Sequence, residues 1–306
     1  MLSLYPLKIV FEAKEPIFLP FYKGSTLRGA LGNALKRVVC VQKRRATCEG
    51  CIVGDRCLYG WVFESIAREK ELMGRHYLHY PHPYVLKPPL TDKREFQPGD
   101  RLEWGLVLLG RAVEYLPFFV LAFKEMGERG LGRGRGKAVL KEVRVGEALV
   151  YREGSEKVFQ PPPVSIDTSS EGHSEVVLNF KTPTRIRRRR RLVIKPWFVP
   201  LATQLIERVA LLSGLYGTAI RDSVPELYEL AKEIELVKDE TRWFDWERYS
   251  FRQDTRMRLG GFVGKAYYKG RLDPFWPYLR IGEFVHVGKN ASFGLGWYEL
   301  QPCEAG

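Results

Sequence analysis

Hydrophobic residues recur along this chain at two periods, and the switches between them mark out its elements. From Leu7 to Ala13 apolar and polar positions alternate, the mark of a short strand. After Gly24-Ser25 the spacing widens: Leu27, Leu31, Leu35 and Val38 share one face of a helix running through Val39, with Arg28, Lys36 and Arg37 elsewhere on it. Trp61 to Met73 is weakly helical, and Tyr84 to Leu90 reads as an extended edge strand. Leu102, Trp104, Leu106 and Leu108 return to period two in a buried strand over Arg101 to Leu109. Leu116, Phe119, Val120, Phe123 and Met126 mark a second helix with Pro117 in its first turn, and a strand follows from Ala138 to Val145. Strand, helix, strand, strand, helix, strand is the ferredoxin-like order, an α+β arrangement with an antiparallel sheet.

The second half echoes the first. Val150 to Gly172, with Pro161-Pro162-Pro163 and Asp167-Thr168-Ser169-Ser170, reads as a linker between residues 1–149 and residues 173–306. Beyond it lie a strand from Val176 to Phe180, continued by Thr182-Pro183-Thr184-Arg185-Ile186, and a long helix carrying Leu201, Leu205, Val209, Leu212 and Tyr216. A further helix from Pro225 to Val237, a strand pair at Trp243 to Phe251 and Gly261 to Tyr268, and strands at Glu283 to Val287 and Trp297 to Leu300 complete it. A glycine-rich loop enters the last strand of each half, Gly130 to Gly136 and Gly288 to Gly296, which points to tandem ferredoxin-like domains.

Charge narrows the partner more than the fold. Lys+Arg of 49 against Asp+Glu of 36 gives a formal charge of +13 and a pI near 9.5, which favours a polyanion. Nucleic acid is preferred to a membrane, because no apolar run approaches bilayer-spanning length and the N-terminus lacks a charged region followed by an apolar block. The expected compartment is the cytoplasm.

The string Gly130-Leu131-Gly132-Arg133-Gly134-Arg135-Gly136 combines backbone freedom with planar cations suited to phosphates. It is not a Walker loop: Leu131 stands where the first glycine belongs, and Ala138 replaces the magnesium-binding hydroxyl. A dinucleotide fingerprint would need glycine at Arg135 and a preceding strand. The densest basic run, Arg187 to Arg191, is read as a second contact with RNA phosphates, although a strand cannot present every one of these charges on one face.

Four of the five cysteines, Cys40, Cys48, Cys51 and Cys57, fall within eighteen residues and form a small insertion over about residues 40–60. Four thiolates suit a structural zinc, with an iron-sulfur cluster as the runner-up and unligated thiols as the third reading.

Several strings together resemble the CRISPR-associated repeat endoribonucleases, the precursor-crRNA processing branch of the RAMP superfamily. They are Leu27-Arg28-Gly29-Ala30-Leu31-Gly32, the four cysteines, Pro83-Tyr84-Val85-Leu86 before Pro88-Pro89, and the Gly130 to Gly136 loop. Thr182-Pro183-Thr184-Arg185 and Gly288-Lys289 with Ser292-Phe293-Gly294-Leu295-Gly296 extend the likeness across nearly the whole chain. The resemblance implies two RRM-like domains that bind CRISPR repeat RNA, cut the precursor once, and supply guides to an effector complex, as a monomer or homodimer. It also implies chemistry without a metal or other cofactor: the ribose 2′-OH attacks the adjacent phosphate, leaving a 2′,3′-cyclic phosphate and a 5′-OH. The RNA-binding set would be Arg28, Arg133, Arg135, Lys137, Arg187, Arg188, Arg189 and Lys289.

The family often draws a histidine from the first helix or just after it, and this chain has none there. Its nearest are His76, His79 and His82, which with Tyr77, Tyr80, Tyr84 and Lys87 offer a base for the 2′-OH and an acid for the leaving oxygen. His79 and His82 share the assignment as base, ahead of His76. The missing helix histidine also favours a rival reading, a non-catalytic RAMP subunit that holds crRNA in an effector complex.

Overall fold

The structure, a computed structural model, describes residues 2–43, 48–65, 67, 71–72, 75–76, 79–169, 172–188, 191–219, 224–245, 247–250, 255–258 and 260–301. The chain divides into two compact units, Leu2–Val164 and Ser165–Gly306.

The first unit contains β1 (Leu4–Ala13), α1 (Gly24–Val39), β2 (Tyr84–Lys87), β3 (Arg101–Leu109), α2 (Leu116–Arg129), β4 (Ala138–Val145) and β5 (Ala148–Arg152). Its antiparallel sheet runs β2-β3-β1-β4-β5, so the first strand is central and the other strands of the ferredoxin-like order flank it. Alternation along β1 turns Leu7, Ile9 and Phe11 into one core with Leu27, Leu31 and Leu35 of α1 and Phe119 and Phe123 of α2. Each such side chain contributes about 1.5–3 kcal/mol on burial. Strand β5 pairs with β4, so Val150 to Arg152 belong to the sheet and not to the expected linker.

The second unit contains β6 (Glu175–Thr184), β7 (Ile186–Arg188), β8 (Arg191–Val193), α3 (Phe198–Tyr216), α4 (Val224–Leu230), β9 (Glu235–Phe244), β10 (Glu247–Ser250), β11 (Thr255–Arg258), β12 (Gly261–Lys269), α5 (Trp276–Val285) and β13 (Tyr298–Gln301). Its main sheet runs β9-β12-β6-β13, again with the first strand inside and the last at one edge. The two units therefore repeat one topology, as the echo of the glycine loops suggested.

Four expectations are corrected. The helix expected over Trp61 to Met73 stops at Glu64, where Ser65 takes a left-handed φ of 48°. The helix begun at Pro225 ends by Glu233, because an exposed, charged strand starts at Glu235. Glu283 to Val285 close α5 and are not strand: Tyr278, Leu279, Ile281 and Val285 are buried at helical spacing. Finally, α3 is long and apolar enough to cross a bilayer by length and composition, which the search for unbroken apolar runs missed. Its Leu201, Leu205, Val209 and Leu212 are buried in the unit's core.

Candidate functional site

The glycine loops owe their composition to the protein's own backbone. A Cβ on Gly132 would lie 2.1 Å from the Phe18 carbonyl oxygen, one on Gly136 2.1 Å from that of Pro16, and one on Gly130 1.9 Å from that of Arg135. The loop is pressed against the chain leaving β1, where the Arg133 N–H donates to the Phe18 carbonyl at 2.9 Å. The sequence reading gave this close approach to a ligand; the structure gives it to Pro16–Phe18. What remains for a ligand is the outer rim: Arg133, Arg135 and Lys137 are exposed, and Gly134 meets nothing within 4 Å. Lys137 keeps a loose contact with Glu15 at 3.8 Å.

The second unit repeats the device. The Lys289 N–H donates to the Arg185 carbonyl at 3.0 Å, the Thr182 hydroxyl donates to the Gly294 carbonyl at 2.8 Å, and a Cβ on Gly296 would lie 1.8 Å from the Val287 carbonyl oxygen. Thr182 and Thr184 are buried, so the Thr-Pro-Thr-Arg string is a brace for the loop, and Lys289 stands exposed on it. His286, fully buried with φ 61°, closes α5 and stacks on Trp297.

The arginine run becomes a hairpin. Arg187 pairs with Leu192 and Arg188 with Arg191 across β7 and β8, which puts both strands' arginines in solvent; Arg189 lies outside the described residues. Arg188 is steadied by the Tyr228 hydroxyl and by that ring, 5.7 Å from its guanidinium carbon. Beside the hairpin Ile194 and Trp197 are 69% and 54% exposed, an apolar and aromatic surface within a basic patch.

The histidine segment meets α1. His82 Nε2 is 3.1 Å from Nη2 of Arg28, and His82 Nδ1 is 2.7 Å from the hydroxyl of Ser65. The His82 ring stacks on Tyr84 at 5.3 Å, and the Arg28 guanidinium lies 4.5 Å from the centre of the Phe63 ring. Gly32 makes room for that ring, since a Cβ there would be 2.2 Å from Phe63 Cζ; this accounts for the second glycine of the Leu-Arg-Gly-Ala-Leu-Gly string. Burial pushes the Tyr84 hydroxyl up to about 12, with the Arg28 charge pulling the other way. His79 is exposed, with Nδ1 3.0 Å from the Glu64 carbonyl. A carbonyl only accepts, so this nitrogen carries the proton and the neutral ring keeps its lone pair on Nε2. The His76 side chain lies outside the described residues; its backbone pairs with Glu71.

Sequence reasoning thus found Arg28, His79 and His82 separately and missed their meeting point. Ser65 carried no signal, and Phe63 none beyond an aromatic-rich stretch. Lys23, at the start of α1, is fully buried and donates to the Thr91 carbonyl at 2.7 Å and the Phe21 carbonyl at 3.2 Å. Burial lowers its pKa, opposed by Asp92.

The cysteines share one neighbourhood, where burial and then Glu64, Cys57 and Cys40 push the Cys48 thiol up while Lys36 pulls it down. Among the described residues no three His, Cys, Asp or Glu side chains form a metal-holding group. Cys48 and Cys51 share a turn closed by the Cys51 N–H on the Cys48 carbonyl at 3.1 Å, but the Cys51 thiol faces Gln42 at 3.6 Å and Cys40 is buried where α1 ends. Cys40 follows the last residue of α1, and Cys57 follows the last residue of the Gly54–Arg56 turn.

Comparison with known proteins adds the family. Residues 2–163 match the N-terminal domain model AF_1859_N, and residues 178–298 match CRISPR-associated endoribonuclease Cas6. An uncharacterized protein of Archaeoglobus fulgidus is 25% identical over 296 residues, covering 92% of this chain and 93% of that one. A Cas6 product complex is similar in fold, with TM-score 0.61 and 18% identity over 97% of this chain and all of that one. A Thermus thermophilus Cas6 gives 0.57 and 16% over 98% and 99%.

Proposed function

We propose that the chain, which joins an AF_1859_N domain to a Cas6 endoribonuclease domain, is a Cas6 endoribonuclease of the RAMP superfamily that binds CRISPR repeat RNA and cuts precursor crRNA. The cut runs without a metal. His79 Nε2 takes the proton of the ribose 2′-OH, the freed oxygen attacks phosphorus, and the bond to the 5′-oxygen breaks as that oxygen takes a proton from solvent water, leaving a 2′,3′-cyclic phosphate and a 5′-OH. Arg28 faces the phosphate and stabilises the charge that grows on it. Arg133, Arg135 and Lys137 in one unit, and Arg187, Arg188 and Lys289 in the other, hold the RNA backbone. The guide so made passes to an effector complex.

The observation that carries this reading is the 3.1 Å contact between His82 and Arg28. It brings the segment that carries His79 and His82 against Arg28 of α1, the helix from which the family often draws its histidine. Choosing His79 over His82 as base rests on tautomers: His79 keeps a free Nε2, whereas both His82 nitrogens are engaged.

Repeat RNA incubated with the protein in EDTA is expected to be cut once, with a cyclic phosphate on the 5′ fragment. His79→Ala should slow the cut about 10²–10⁴-fold while binding of a 2′-deoxy repeat stays within about twofold. A variant that cuts at the normal rate removes His79 from the reaction. Binding without any cut by the wild type would favour the guide-holding subunit, the reading that the histidine-free first helix supports.

A further inference from the structure

We infer that Ser65 and His82 form a positioning relay that fixes Arg28, and that His82 works as a neutral hydrogen-bond acceptor locked in its Nδ1–H tautomer. The inference rests on the reading of Arg28 as the phosphate-facing group.

The argument is one of donors and acceptors. A guanidinium has five N–H donors and no acceptor. The His82 Nε2 that lies 3.1 Å from Arg28 Nη2 must therefore hold a lone pair. Its proton sits on Nδ1, which donates to the Ser65 oxygen at 2.7 Å. The Ser65 hydroxyl is left to donate onward, and the carbonyls of Trp61 and Val62 both wait at 3.2 Å. Every link has a single consistent direction: Arg28 to His82, His82 to Ser65, Ser65 to a backbone carbonyl.

The local backbone is built to hold Ser65 there. Gly60–Glu64 is a π-helical turn ended by Ser65 in a left-handed conformation, with the Ser65 N–H donating to the Gly60 carbonyl at 2.8 Å. Such turns and non-glycine residues at positive φ cost free energy and recur at functional sites. Ser65 is 3% exposed, and a purely structural cap would favour glycine. The relay and the face of Phe63 restrain the guanidinium from two sides, while Tyr84 backs the imidazole. Removing a link frees Arg28 to swing, which lowers the rate of the chemical step more than affinity.

Two measurements test this. In a long-range ¹H–¹⁵N spectrum of the labelled wild type near pH 7.5, His82 is expected with Nδ1 protonated and Nε2 bare. A proton on Nε2 overturns the proposal, whether or not the protein cuts RNA. Single-turnover rates at saturating repeat RNA form the second test. Arg28→Ala should slow the cut about 10²-fold, His82→Ala about 10-fold or more, and the double variant no further than Arg28→Ala, because the two act as one unit. His82→Gln, whose amide oxygen can accept from Arg28, should recover most of the rate. Multiplying effects, or a glutamine variant as slow as the alanine one, overturns the relay. A wild type that cuts nothing defeats the functional reading instead, and the tautomer then decides the relay alone.

Discussion

Tyr84 shows how one residue serves both packing and site. It is 1% exposed and its hydroxyl lacks a partner of good geometry, yet it lies close enough to Arg28 to feel its charge. A tyrosine raised to about 12 stays protonated in the fold after the unfolded chain's tyrosine has ionised near 10. Its contribution to stability is therefore complete below pH 10 and is lost as pH rises towards 12, about 3 kcal/mol over that window. Tyr84→Phe should be nearly neutral in stability at pH 8 and should lose less on going to pH 12 than the wild type. Chemical denaturation at the two pH values measures it, and equal losses would mean that the hydroxyl is solvated. At this scale the sequence made residue types legible and left their partners hidden. Three histidines within seven residues are visible in the chain; that two of them dock beside Glu64 and Ser65 depends on a turn whose π geometry and left-handed end have no periodicity to read.

Among elements, the glycine loops separate local strain from close packing. At Gly134 the side-chain space is open and the penalty for alanine is the positive φ of 82°, about 1–2 kcal/mol. At Gly136 φ is ordinary, but a Cβ would meet the Pro16 carbonyl at 2.1 Å, an overpacking cost of about 1–3 kcal/mol together with displacement of the loop. Gly136→Ala is thus expected to weaken RNA binding through Arg133 and Arg135 as well as to lower the urea midpoint, whereas Gly134→Ala lowers the midpoint alone. Equal binding by both variants would show that the rim does not depend on the Pro16–Phe18 brace. Elements with a buried face were legible because alternation and 3.6-residue spacing survive in β1, β3, α1, α2 and α3. The misses have separate causes: β9 is charged and mostly exposed, whereas α5 is short enough for its apolar residues to be read at either period.

For the whole molecule the question is where a formal charge of +13 resides. Many surface cations sit on carboxylates: Lys8 on Glu103, Lys93 on Asp100, Lys141 on Glu12 and Glu153, Lys269 on Glu175. Exposed pairs of this kind add little stability, but they cancel field locally. Among the described residues Arg133, Arg135, Arg187, Arg188, Arg191, Lys195 and Lys289 form no such pair. Exposed cations without such a pair thus stand on the glycine-loop rim of each unit and on the hairpin of the second. Binding through these groups releases counterions, with a slope of about 0.7 per phosphate neutralised on a single strand. Replacing Arg187, Arg188 and Arg191 by glutamine should weaken repeat binding and flatten the plot of log affinity against log salt by about 2. Trp197→Ala, beside the same hairpin, should weaken binding by about 1–3 kcal/mol if a base stacks there, and leave the salt slope where it was. A triple variant with the wild-type slope would take the hairpin out of the RNA path and leave the glycine-loop rims to account for the charge.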